Sequence, residues 1–141
     1  MTAKEYLRQS YRLDQKINSD IAELARLREM AMGISAPSFE ERHNPNRPTE
    51  APFVSALEKV WELQEKVNAE IDRLVDLKDQ IRTVIEQVED PDQQMVLRYR
   101  YIHNYPWRRI GNALHADERT IRRWHGRALQ RITVPDNHIV I

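Results

Sequence analysis

Between residues 4 and 32 apolar side chains recur at helical spacing: Leu13, Ile17, Leu24, Leu27 and Met30 fall on one stripe, while Glu, Arg, Lys and Gln fill most other positions and Pro is absent. The pattern predicts one long amphipathic helix. Its seam is imperfect, because Ser10 and Asp20 stand where a strict heptad wants apolar groups, with Tyr11 and Ile21 beside it. From residue 54 to 89 the repeat sharpens. Val60, Val67, Leu74, Ile81 and Val88 follow one another at seven-residue spacing, and Leu57, Ile71 and Ile85 supply three of the five intermediate positions, with Gln64 and Lys78 interrupting that row. About 35 helical residues make a rod roughly 50 Å long. The least costly cover for its stripe is the first helix folded back antiparallel, with the helices of a second chain as the alternative or the addition. Residues 33–53 between the two helices hold Gly33, Pro37, Pro45, Pro48 and Pro52 with no period, and are expected to form a Pro-rich loop.

Asp90-Pro91-Asp92 ends the second helix, since a residue before proline is steered out of the helical region, and Asp92 is expected to cap the next. A domain boundary is therefore expected at 90/91. Three short helices fit the remainder, over about 92–103, 106–114 and 117–132, with breaks at Asn104-Tyr105-Pro106 and His115-Ala116. In the tail, residues 133–141, a Pro135-Asp136-Asn137 turn leads to Ile139-Val140-Ile141, expected to pair as a short strand or to dock on the helices. The fold class is thus all-α: a long antiparallel, coiled-coil-like helical hairpin (1–90) followed by a three-helix helix-turn-helix domain (91–132).

Charge changes this picture. The 141-residue chain is formally neutral, yet residues 1–90 carry 13 basic and 18 acidic groups, while residues 91–131 carry nine Arg against Asp92, Asp117 and Glu118. An acidic front and an Arg-only back point to two units with different partners, the second suited to a polyanion. The last two short helices also meet the requirements of a helix-turn-helix. Ile110, Leu114 and Ile121 can form its small core, Gly111 lies where the helices come closest, and Asp117 can accept from the Thr120 amide as an N-cap. Along the third helix Ile121, Trp124, Ala128 and Ile132 should face inward, with Leu129 beside them. The opposite face then holds Glu118, Arg119, Arg122, Arg123 and Gly126, with Arg127 at its edge. Arginine is shaped for bidentate contact with guanine and also pairs with phosphate. Arg119, Arg122 and Arg123 are the candidates for base edges, and Arg108, Arg109, Arg127 and Thr120 for the DNA backbone.

Leu97-Arg98-Tyr99-Arg100-Tyr101, Trp107-Arg108-Arg109-Ile110-Gly111 and Thr120-Ile121-Arg122-Arg123-Trp124-His125-Gly126-Arg127-Ala128-Leu129 resemble region 4 of sigma-70 type sigma factors over about forty residues. A long helical front joined to this module, with an aromatic-Pro-Trp lead into the second helix, resembles small phage regulators of the ArpU and RinA kind and phage families of unknown function. This resemblance implies a sequence-specific transcriptional regulator of phage or prophage origin. Its third helix would enter the major groove of double-stranded DNA, with host RNA polymerase as a further partner and a homodimer formed through the helical region. His115 departs from the pattern, standing where such turns often carry Gly. No counterpart of the sigma region that binds the −10 promoter element is present.

Other classes fare worse. With no Cys and three Gly, thiolate metal sites, cysteine nucleophiles and phosphate-cradling loops lack material, and no nucleophile elbow or dinucleotide fingerprint occurs. No enzyme, cofactor, catalytic residue or metal site is expected, and Trp107 and Trp124 read as core. Neither a membrane span nor the apolar core of a signal peptide is present in the sequence, so a cytoplasmic location is expected. Two rivals to the regulator are the small subunit of a phage terminase binding packaging-site DNA, and a helical adaptor that binds an acidic protein surface and no DNA.

Overall fold

The computed structural model describes residues 1–35 and 50–141. Its elements are α1 (Ala3–Ser35), α2 (Glu50–Glu86), α3 (Pro91–Leu97), a π-helical turn (Arg98–Ile102) continuing α3, α4 (Trp107–Leu114) and α5 (Glu118–Gln130). The class is all-α, and no strand occurs among the described residues. Helix α1 runs on through Gly33 to Ser35 and α2 begins at Glu50, so helix invades both ends of the span expected to be loop; residues 36–49 lie outside the described residues. None of these helices is long and apolar enough to cross a membrane.

The chain divides into two compact units, one made of residues 15–72 and the other of residues 1–14 with 73–141. The division does not fall at the expected 90/91. Leu77, Ile81, Val84, Ile85 and Val88 of α2 and its C-terminal flank bury themselves with Leu97, Tyr101, Ile102 and Ala128, so the last turns of the heptad helix belong to the core of the C-terminal helices.

In the 15–72 unit Ile17, Leu24 and Ala31 of α1 and Val67 of α2 are buried. Lys16 Nζ lies 3.4 Å from Glu70 Oε1, and the Arg28 guanidinium donates to Gln64 Oε1. Numbers rising along α1 meet numbers falling along α2, which makes the pairing antiparallel. Asp20, only 9% exposed, fills a seam position with a carboxylate whose Oδ2 has no hydrogen-bond partner among the described residues. Val54, Leu57, Trp61 and Ile71 are exposed.

The other unit opens with a reciprocal cap: the Thr2 amide donates to Glu5 Oε2 at 3.0 Å and the Glu5 amide to Thr2 Oγ1 at 3.2 Å. Tyr6 and Leu7 are fully buried in its core. Ser10, the other polar residue of the seam, donates through its hydroxyl to the Tyr101 carbonyl at 2.7 Å. That carbonyl lies in the π-helical turn, where His103 N–H reaches back five residues to Arg98 O. The helix then stops at Asn104, whose φ of 58° lies in the left-handed region and whose side-chain amide donates to Asp14 Oδ2 at 3.2 Å. At the start of α3 the N-cap is Asp90 rather than Asp92. Its carboxylate accepts from the Gln93 amide at 3.0 Å, because Pro91, lacking an N–H, suits the first helical position.

The tail docks on the helices. Gln9 donates to Ile139 O and accepts from the Ile141 amide, each at 2.8 Å, while Gln80 Oε1 accepts from the Ile139 amide at 3.0 Å and from the Tyr6 hydroxyl at 2.7 Å. Val134 and Ile139 pack against the core. Two glutamine side chains thus supply the partners that a neighbouring strand would have provided.

An unpaired buried carboxylate oxygen costs more than it returns. Replacing Asp20→Leu is expected to stabilise the 15–72 unit by about 1–2 kcal/mol, measured as a higher urea midpoint; an unchanged or lower midpoint would mean that Asp20 is satisfied in solution.

Candidate nucleic-acid interface

Helices α3, α4 and α5 share a second, smaller core. Val96, Ile110 and Ile121 are fully buried there, with Tyr99, Tyr105, Trp107, Leu114, Ala116 and Trp124 packed around them. Three residues, His115 to Asp117, join α4 to α5. The turn is tight for two reasons. Gly111 presents its bare Cα to the Ala116 carbonyl, where a Cβ would sit 2.7 Å from the oxygen, and Ala116 N–H donates back to Gly111 O at 3.0 Å. His115 takes φ 55° and ψ 44°, the left-handed C-cap that glycine more often supplies. The close approach at Gly111 is to the turn rather than to the facing helix.

Asp117 caps α5, its Oδ1 accepting from Thr120 N–H at 2.7 Å. Hydrogen bonding from Thr120 holds this carboxyl below the usual range, with Arg119 and Arg123 adding to the effect. From that start Ile121 and Ala128 turn inward, while Glu118, Arg119, Arg122, Arg123, Gly126 and Arg127 are all exposed. The face expected to carry Arg is therefore brought together on one side of α5. Arg122 is partly engaged by Glu118 one turn earlier, at 3.2 Å, a solvent-exposed pair of small energetic weight. A Cβ at Gly126 would meet nothing within 4 Å.

The remaining expected contacts differ in availability. Arg108 is exposed on α4, whereas Arg109 lays its guanidinium 3.8 Å over the Tyr105 ring, and Tyr105 in turn stacks on Tyr99. Thr120 is half-buried and committed to the cap. Trp107 and Trp124 are half-buried in the small core, as expected of core residues.

His125 was not among the expected inward positions, yet it is 7% exposed. It stands four residues after Ile121 and three before Ala128, so the stripe passes through it. Its Nε2 lies 2.6 Å from the Tyr101 hydroxyl, and its ring meets the Trp107 indole edge-on at 4.7 Å between centroids. Burial pushes Tyr101 up to about 12, and burial together with the positive charges of Arg100 and Lys4 lowers His125 to about 4. At neutral pH both groups are therefore uncharged.

Residues 10–133 match the model of a family described as proteins of unknown function, DUF722. The chain belongs to this family. The DUF722 match takes in most of α1, all of α2 and the whole arrangement of α3, α4 and α5. Comparison with curated proteins and with solved structures gave no match.

Gly111→Ala is expected to lower stability by about 2 kcal/mol, because the new methyl meets backbone that cannot swing aside. His115→Gly, by relieving the left-handed strain, is expected to raise it by up to about 1 kcal/mol. Urea unfolding read by tryptophan fluorescence checks both signs.

Acid acts through His125. Its folded value, about 4, lies below the 6.5 of a free imidazole, so the unfolded chain takes up the proton first. The stability gained by keeping this ring neutral is fully present above about pH 6.5 and is lost as pH falls toward 4, on the order of 2–3 kcal/mol. His125→Phe is expected to flatten the urea-midpoint profile across that window; a profile of unchanged steepness would show that other groups, His103 among them, set it.

Proposed function

We propose that this protein is a sequence-specific, DNA-binding transcriptional regulator of phage or prophage origin, using α5 as the recognition helix of a helix-turn-helix. One observation carries the reading: a helix anchored by Ile121, His125 and Ala128 on one side exposes Arg119, Arg122, Arg123 and Arg127 on the other, three residues after a shorter helix that packs against it. Such a helix fits the major groove, where its first turns meet base edges. Arg119, Arg122 and Arg123 are the base-reading candidates. Arg108 and Arg127 suit phosphates, Arg109 reaches one from its seat on Tyr105, and Thr120 acts through the cap.

The resemblance of residues 97–129 to sigma region 4 supports the same conclusion. Because a single small module with few phosphate contacts binds weakly, the reading includes a second copy of the chain or host RNA polymerase as the source of added affinity.

Fluorescence anisotropy of a labelled mixed-sequence duplex, followed across a salt series with the full chain and with an Arg119→Ala, Arg122→Ala, Arg123→Ala variant, tests it. Binding that weakens steeply with salt and falls at least about tenfold in the variant is expected. No binding at low salt by the folded protein would overturn DNA recognition and favour an adaptor whose basic face meets an acidic protein.

A further inference from the structure

Beside the outer face of α5 lies a cavity of about 420 Å³. Four cations line it: Lys4 and Arg8 from the first turns of α1, Arg100 from the π-helical turn, and Arg122 from α5. Among the described residues no carboxylate lines it, though Glu118 meets Arg122 at 3.2 Å from outside. Trp107, Tyr11 and the Tyr101–His125 pair complete the wall.

Two of the cations make further contacts. Arg100 donates to Tyr105 O at 3.1 Å while its guanidinium lies 4.2 Å over the Trp107 ring, and Arg122 approaches the same ring at 5.7 Å. Stacking and the hydrogen bond fix the plane of the Arg100 fork in advance, so less side-chain entropy remains to be lost when it closes on a ligand. Arg8 and Arg100 act on the Tyr101 hydroxyl, and Lys4 and Arg100 on the His125 ring, which places all three charges within electrostatic reach of the buried pair. Lys4, Arg8 and Arg122 are solvent-exposed and Arg100 is half-buried, so their like charges sum to a positive potential that stays open to an anion, with Arg122 shared with Glu118.

A carboxylate would return one charge. A phosphate group returns up to two, with three acceptor oxygens for the guanidinium forks. We propose that this cavity is a seat for a phosphate group, with Lys4, Arg8 and Arg100 as its ligands, Arg122 at its rim and Trp107 as the plate that positions Arg100. The phosphate comes either from a free phosphate compound or from the backbone of a duplex. Only the second source rests on the DNA-binding reading above.

The imidazole of His125 reports on occupancy, since an anion beside it makes protonation easier. Histidine side-chain NMR of the full chain, recorded at a pH between 4 and 6.5, follows titration first with inorganic pyrophosphate and then with a mixed-sequence duplex. A saturable shift of the His125 signal toward its protonated position is expected with pyrophosphate. The shift should be absent in a Lys4→Ala, Arg8→Ala variant, whose substitutions lie on exposed turns of α1 and whose fold is checked by an unchanged His138 signal. A shift produced also by the duplex, and lost in the same variant, identifies the backbone phosphate as the natural source. A shift with pyrophosphate alone leaves the seat to a free phosphate compound, whatever becomes of DNA binding. A His125 signal that neither ligand moves, or that moves equally in the variant, overturns the proposal.

Discussion

The short stretch from Val96 to Ile102 must bury itself on two sides at once. Val96 and Tyr99 face the small core of α4 and α5, while Leu97, Tyr101 and Ile102 face the core built on α2 and the first turns of α1. A regular α-helix brings residues four apart together, which serves Leu97 and Tyr101 but turns Ile102 away. The π-helical turn resolves the conflict, because a backbone that bonds five residues back sets Ile102 beside Leu97. Its cost is a carbonyl pattern that no longer closes on itself. Ser10 meets the Tyr101 carbonyl, and Asn104 ends the helix against Asp14. The placement of the arginine-bearing helix follows from this double burial, since α5 packs on α3 and contributes Ala128 to the larger core.

Much of this was legible in sequence. Apolar periodicity marks the two long helices, and the short helices fall within a residue or two of their expected limits. The Asp117 cap and the exposed arginine face of α5 follow from spacing alone. What spacing does not carry is the identity of a polar residue's partner. Ser10 and Asp20 look alike as interruptions of the seam. One answers a carbonyl ninety-one residues away, and the other has an oxygen with no partner among the described residues. His125 lies on the stripe between Ile121 and Ala128, but the partner that lets a histidine be buried there, the Tyr101 hydroxyl, is not visible in the spacing. The shift of the cap from Asp92 to Asp90 has a local cause, since the missing N–H of Pro91 is harmless only at the first helical position. The division into units was illegible for a different reason: a heptad says that α2 is buried along its length and not that its buried partners change near residue 73.

The chemistry of the C-terminal helices combines opposite treatments of charge. Outside, guanidinium groups stand in solvent on α5. Inside, burial keeps a tyrosine and a histidine neutral, with the surrounding cations reinforcing it at His125 and opposing it at Tyr101. The same aromatic plate, Trp107, touches both arrangements, meeting His125 in a T-shaped contact and offering its face to Arg100. A change at Trp107 would therefore be felt in packing and in the disposition of charge together.

The unit that carries these helices is assembled from both ends of the sequence, with residues 15–72 inserted between its parts. Its hydrogen bonds from Gln9 to Ile139 and Ile141 span more than 120 positions. During synthesis the inserted hairpin can close while residues 73 onward are still being made. Tyr6 and Leu7, already translated, must wait for the residues from Leu77 to Ala128 before their core is complete. The first turns of α1 are thus an apolar surface in the nascent chain until α2 and α5 reach them.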